Sequence, residues 1–138
     1  MRLQTVSTLL GARFGGRHAP LSIGFEITHR CNLSCSYCDR HTPRADEMPR
    51  STIMTALDEL CSTGMQSLSL DGGEPLTHPH IDEVVAWLAG RGVRVLMNSN
   101  GLLVERKIGT VRKLSKLKIS LDGPQRLHDA ARGRGAFT

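Results

Sequence analysis

Apolar and polar positions follow two alternating periods along the chain. Leu21-Ser22-Ile23-Gly24-Phe25-Glu26-Ile27 places an apolar side chain at every second residue, the period of a first strand. Ser51 or Thr52 can then cap a helix in which Ile53, Met54, Leu57, Leu60 and Cys61 share one face. That pattern predicts a helix to about Thr63, ended by Gly64. Gln66 to Leu70 reads as a second strand, stopped by Asp71-Gly72-Gly73-Glu74-Pro75. Ile81, Val84, Val85 and Leu88 predict a helix from about Pro79 to Ala89, broken by Gly90 and Gly92. Val93 to Met97 reads as a third strand, with Asn98-Ser99-Asn100-Gly101 as its turn. A weaker helical pattern, interrupted by Gly109, runs from Leu102 to Leu114. Lys116 to Leu121 reads as a fourth strand, ending at Asp122-Gly123-Pro124. Residues 1–13 are expected to form an extra helix outside the first strand, within an N-terminal extension of residues 1–20.

Strand and helix thus alternate with short connections, which predicts an α/β fold with a parallel sheet and right-handed crossovers. The repeat matches the roughly 30 residues of a barrel βα unit. Four strands are too few to close a barrel, so the expectation is a partial (βα) barrel, cut short after four units. In such sheets the functional loops gather at the C-terminal ends of the strands. The segments after all four strands therefore meet on one rim, however far apart they lie in sequence.

Composition changes this picture little. Hydrophobic residues make up 39% and charged residues 22%, ordinary for a globular chain. No run approaches the roughly 18 apolar residues of a membrane span, and no secretory leader is legible, so a cytoplasmic protein is expected. The net charge of +5 is scattered, densest from Arg106 to Lys118, and reads as a solvated face rather than a nucleic-acid surface.

The chemistry lies in Cys31-Asn32-Leu33-Ser34-Cys35-Ser36-Tyr37-Cys38. Three cysteines crowded into eight residues fit disulfide geometry poorly and read as metal ligands. Three thiolates can hold three corners of an iron–sulfur cubane and leave one iron open, as a catalytic site requires. Structural zinc competes, with His29 or His41 as a fourth ligand and the chain as an interaction module. A redox pair at Cys35 and Cys38 leaves Cys31 unexplained. Cys61, on a helix face, reads as a small buried hydrophobe, and Met54, Met65 and Met97 as core or strand residues.

Cys-x3-Cys-x2-Cys with an aromatic residue before the third cysteine resembles the cluster loop of the radical S-adenosylmethionine (SAM) superfamily. Gly72-Gly73-Glu74-Pro75 is similar to the family's second motif. Asn98 to Gly101 and Ser120 to Pro124 resemble its third and fourth strand ends. The resemblance covers residues 21–138, as an incomplete radical SAM core.

It implies that Cys31, Cys35 and Cys38 bind a [4Fe-4S] cluster. It implies a reaction in which SAM is reductively cleaved to a 5′-deoxyadenosyl radical that abstracts hydrogen from a substrate. Tyr37 is then expected near the adenine. Gly72, Gly73 and Glu74 are expected at the SAM amino group, where glycine admits close backbone approach. Asn100 and Ser120 are expected at the ribose or carboxylate, and Asp122, His128, Asp129 and Arg132 toward SAM or substrate. A flavodoxin- or ferredoxin-like electron donor and a peptide or cofactor-precursor substrate are also implied. Family members usually carry two further βα units. A fragment that binds a cluster without turning over therefore stands as the alternative.

Overall fold

The computed structural model describes residue 11, residues 20–39 and residues 47–137. Within them four strands alternate with helices: β1 (Ser22–Thr28), α1 (Arg50–Ser62), β2 (Ser67–Gly72), α2 (Ile81–Gly90), β3 (Arg94–Ser99), α3 (Ile108–Val111), β4 (Lys116–Ile119) and α4 (Gln125–Arg132). A 3-10 turn, Pro75–Thr77, links β2 to α2. The strands form one open sheet in the order β1-β2-β3-β4, every pair parallel. The expected partial barrel of four βα units is what the chain adopts. The expected helix over residues 1–13 and the candidate ligand His41 lie outside the described residues, Gly11 apart.

Register explains why one sheet face is apolar. Leu68 pairs with Val95 and Leu70 with Met97, so all four point to one side. There they meet Ile53 and Leu57 of α1 and Val84, Val85 and Leu88 of α2, all fully buried or nearly so. The opposite face carries Asp71 and Asn98, which line the pocket described below. Cys61 packs partly buried against this core, apart from the other three cysteines.

Element ends differ from the sequence expectation for local reasons. Helix α1 starts at Arg50 behind Pro49, and its cap position makes no side-chain hydrogen bond; Ser51 and Thr52 lie inside it. Proline's fixed φ suits the chain entry, and Gly64 at φ +86° ends the helix. Helix α2 starts two residues later than Pro79, because Pro75–Thr77 closes a 3-10 turn capped by the Glu74 side chain. Strand β3 runs on to Ser99, since Asn98 and Ser99 pair with Lys118 and Ile119.

The helix expected over 102–114 shrinks to Ile108–Val111. Asn100 Oδ1 accepts the Leu102 N–H at 3.1 Å and Ser99 Oγ accepts the Gly101 N–H at 3.0 Å, so side chains hold the segment's first donors in turns. Strand β4 stops at Ile119, short of the expected Leu121. Helix α4 begins directly behind Pro124, at the Asp122-Gly123-Pro124 turn that the sequence marks as the end of the fourth strand.

Candidate functional site

The loop after β1 is held by backbone zippers. The Gly73 N–H donates to Thr28 O at 2.9 Å and the Glu74 N–H to Arg30 O at 2.8 Å, pulling the turn after β2 against the base of the cysteine loop. A Cβ on Gly72 would stand 2.1 Å from Thr28 O, and one on Gly73 2.2 Å from Arg30 O. Both positions therefore demand glycine for chain-to-chain approach, a reason distinct from the expected access to a ligand. Further along, the Leu33 N–H points at Cys31 Sγ at 3.5 Å, and the Cys38 N–H closes a turn on Cys35 O at 3.1 Å. Ser36 is tied to α4, its N–H and Oγ both donating to Ala131 O at 2.8 and 3.2 Å.

Cys31, Cys35 and Cys38 share a pocket of about 200 Å³ at the C-terminal rim of the sheet. Cys35 is buried and the other two are half-buried. Burial pushes the Cys35 thiol up, Arg132 pulls it down, and Cys31 and Cys38 push it up further. The same pocket is lined by Tyr37, Gly72, Gly73, Asn100 and Ser120, so four strand ends meet there. Asn100 spans the gap between them, its Nδ2 donating to Asn32 Oδ1 at 2.7 Å.

Glu74 is placed differently from its expected role. Its side chain is fully buried and does not line the pocket. Its carboxylate accepts from Leu76 N–H (3.1 Å), Asn100 N–H (2.7 Å) and Ser99 Oγ (3.0 and 3.1 Å). It braces the end of β2 against the end of β3, and burial nevertheless raises its pKa against those bonds.

His128 also turns inward. It is 2% exposed, accepts the Asp122 N–H on Nδ1 at 3.2 Å and meets the Phe137 ring edge-on. Asp129 accepts the Phe137 N–H at 3.0 Å. Both hold the segment after β4 together instead of facing the pocket. Asp122 and Arg132 do face the cysteine loop: Arg132 Nε and Nη2 fork onto Asp122 at 2.6 and 3.1 Å, and Tyr37 Oη donates to Asp122 Oδ2 at 3.1 Å.

Sequence reasoning missed Asp71 and Asn98, which bond to one another on the pocket wall, and Asn32. Strand alternation beyond the assumed strand ends was the signal available for the first two. It also missed Glu47, whose carboxylate takes the Thr28 hydroxyl and lies 3.1 Å from Arg30 Nε and 4.0 Å from Nε2 of the buried His78.

The donor set suits a polynuclear centre. Three thiols line one pocket. Thiolates are the usual ligands of iron–sulfur clusters, and an N–H aimed at a ligand sulfur is a usual companion. Glycine backbone and amide side chains beside the cysteines leave room and hydrogen-bonding groups for a polar cosubstrate.

The structure is thus a parallel αβ sheet with a three-cysteine loop at the carboxyl ends of its strands. The chain belongs to the radical SAM superfamily, whose family model matches residues 25–138. It is 36% identical over 130 residues to the AdoMet-dependent heme synthase of Methanosarcina barkeri, covering 87% of this chain and 37% of that one. It is 30% identical over 128 residues to the mycofactocin maturase MftC of Mycobacterium ulcerans, covering 88% and 35%. Among solved structures it resembles Streptococcus suis SuiB bound to S-adenosylmethionine, with a TM-score of 0.74, 20% identity, and coverage of 96% of this chain and 33% of that one. SuiB bound to its precursor peptide SuiA matches with a TM-score of 0.72 at 20% identity, covering 94% and 31%. These two likenesses are of fold. The chain spans little more than a third of the length of these curated relatives.

Proposed function

We propose that residues 21–138 form the cofactor-binding part of a radical SAM enzyme of the cytoplasm. When bound, a [4Fe-4S] cluster with SAM supplies one-electron reductive cleavage of SAM and so a hydrogen-abstracting 5′-deoxyadenosyl radical. Cys31, Cys35 and Cys38 are the thiolates that hold the cluster. Backbone groups of Gly72 and Gly73 and the side chains of Asn100 and Ser120 orient the cosubstrate's polar ends. The ring of Tyr37, 62% exposed, offers a surface for its adenine and covers the cysteine loop. Glu74 acts through Asn100, whose N–H it holds at 2.7 Å. The observation that carries this reading is the convergence of the three cysteines, Gly72, Gly73, Asn100 and Ser120 on one pocket.

A peptide is the proposed substrate class, supported by the relative named as a maturase and by the neighbour solved with a precursor peptide. A flavodoxin- or ferredoxin-like protein is the proposed electron donor.

Anaerobic reconstitution of the purified chain with iron and sulfide, followed by dithionite and SAM, tests the reading. The expected result is a brown protein with a cluster EPR signal altered by SAM, and 5′-deoxyadenosine released. A filled cluster that responds to SAM without 5′-deoxyadenosine would leave the chain a cluster-binding portion whose turnover needs further structure. A colourless zinc protein would overturn the proposal.

A further inference from the structure

Helix α4 ends against the cysteine loop. Ala131 O receives both the N–H and the hydroxyl of Ser36, between the second and third cysteines. The next residue, Arg132, therefore projects its side chain into the pocket that Cys31, Cys35 and Cys38 line. That side chain is 12% exposed. Asp122 grips it at two points, and the guanidinium carbon stands 5.7 Å from the Tyr37 ring centre. The fork fixes direction as well as position, since a bidentate pair admits one orientation. Arg132 lines the pocket with the three cysteines, and its charge pulls the Cys35 thiol's pKa down.

We propose that Arg132 is a tuning residue: held by Asp122, its guanidinium presents a permanent positive charge to the three-cysteine centre and raises the potential at which a cluster there accepts its electron. This rests on the reading that the cysteines hold an iron–sulfur cluster.

The physics is simple. Reduction adds one electron, and so one negative charge, to a centre already carrying three thiolates. A nearby cation favours the more negative state, and partial burial weakens solvent screening of that attraction. Net charge and surrounding groups set cluster potentials across a wide range. Arginine suits the role because it keeps its proton at any working pH. Asp122 supplies orientation while partly offsetting the charge.

A merely structural role, pinning α4 to the loop, predicts lost stability in Arg132 variants and an unmoved potential. The test is an EPR-monitored redox titration of the anaerobically reconstituted chain without SAM, so that no cosubstrate contact enters. The midpoint of Arg132→Met should move to more negative potential, and that of Arg132→Lys should stay closer to wild type. Arg132→Gln, which keeps a hydrogen-bonding side chain and removes the charge, should also move it to more negative potential. Coincident midpoints for wild type, Arg132→Met and Arg132→Gln, each fully loaded, overturn the inference. If Arg132→Met does not load, Arg132→Gln decides: a downward shift supports the proposal, and no shift or an upward one overturns it. A wild-type chain that forms no redox-active cluster removes the proposed function itself, a different outcome from a loaded cluster indifferent to both substitutions.

Discussion

Asn100 and Asn32 are 68 residues apart in sequence, yet the Asn100 side-chain amide donates to the Asn32 side-chain carbonyl at 2.7 Å. The bond joins the end of β3 to the loop between the first two cysteines. The same Asn100 oxygen takes the Leu102 N–H, and the Asn100 N–H is taken by Glu74. One residue thus aligns the cysteine loop, the turn after β2 and the turn after β3.

Replacing Asn100 by Ala should cost about 1–2 kcal/mol of stability, since two side-chain hydrogen bonds go. If that side chain also meets the cosubstrate, SAM affinity should fall about tenfold, the weight of one such bond. Urea unfolding and equilibrium dialysis of the loaded protein give the two numbers. A SAM affinity equal to wild type would confine Asn100 to bracing the loops.

Gly72 and Gly73 make a sharper case. Alanine at Gly73 would put its Cβ 2.2 Å from Arg30 O, and at Gly72 it would meet Thr28 O while holding φ at +134°. The neighbours are backbone atoms and cannot swing aside, so each substitution should cost about 3 kcal/mol. Gly64→Ala is the control. It has a positive φ of +86° but open space around it, and should cost about 1 kcal/mol. Urea midpoints that rank Gly64→Ala with or below the other two substitutions would contradict the close-approach account.

The sheet was legible because the chain states it twice, in alternating runs such as Ile23-Phe25-Ile27 and in the helical face of Ile81, Val84, Val85 and Leu88. The sequence placed the three cysteines and the two glycines at strand ends, and the structure brings them to one pocket; the close chain-to-chain approach that demands the glycines was not legible. Glu74 was misread because a charged residue beside a glycine turn looks like a ligand group. Only the fold reveals that two main-chain donors and Ser99 are waiting for it. His128 was misread in the same way, its ring being consumed by the Asp122 N–H. The 102–114 segment failed for the opposite reason. Its composition favours a helix, but Ser99 and Asn100 divert its first backbone donors.

Asp82 gives a pH-dependent prediction away from the site. It accepts the Thr110 hydroxyl and pairs with Lys107 Nζ at 2.7 Å, linking the first turn of α2 to α3. The bond from Lys107, then that from Thr110, holds the Asp82 carboxyl below the ordinary aspartate range. A folded pKa below the unfolded one gives stability that is fully present above the unfolded value and is lost as pH falls through the folded one. The side chain is 55% exposed, so solvent trims the ion pair's share. Asp82→Asn should cost about 1 kcal/mol at neutral pH, most of it from the buried Thr110 hydroxyl and the helix N-terminus. The gap between wild type and variant should shrink as pH drops below the ordinary aspartate range. Denaturant midpoints across that range would refute this if the gap held constant.

The last prediction concerns the base of the cysteine loop. Glu47, just ahead of α1, receives the Thr28 hydroxyl, pairs with Arg30 at 3.1 Å and faces Nε2 of His78 at 4.0 Å. His78 Nδ1 already accepts the His80 N–H, so the ring proton of the neutral imidazole sits on Nε2, the nitrogen nearer the Glu47 carboxylate. Thr28 and Arg30 precede Cys31, and Glu47 follows Cys38, so the carboxylate clasps the two ends of the segment that carries all three thiols. Glu47→Ala leaves the buried Thr28 hydroxyl without its acceptor and removes the ion pair with Arg30, and should cost about 2 kcal/mol. Its larger effect should be kinetic. With its base unclasped, the loop opens more often, and an opening worth about 1.4 kcal/mol less exposes the ligands about tenfold more of the time. Loss of iron to an excess of chelator, followed by bleaching of the visible absorption in folded protein, should quicken by about that factor. Glu47→Gln should fall between, because its amide oxygen still accepts from Thr28 while its charge on Arg30 is gone. Equal bleaching rates for wild type and Glu47→Ala would show that the clasp supports the fold without guarding the centre.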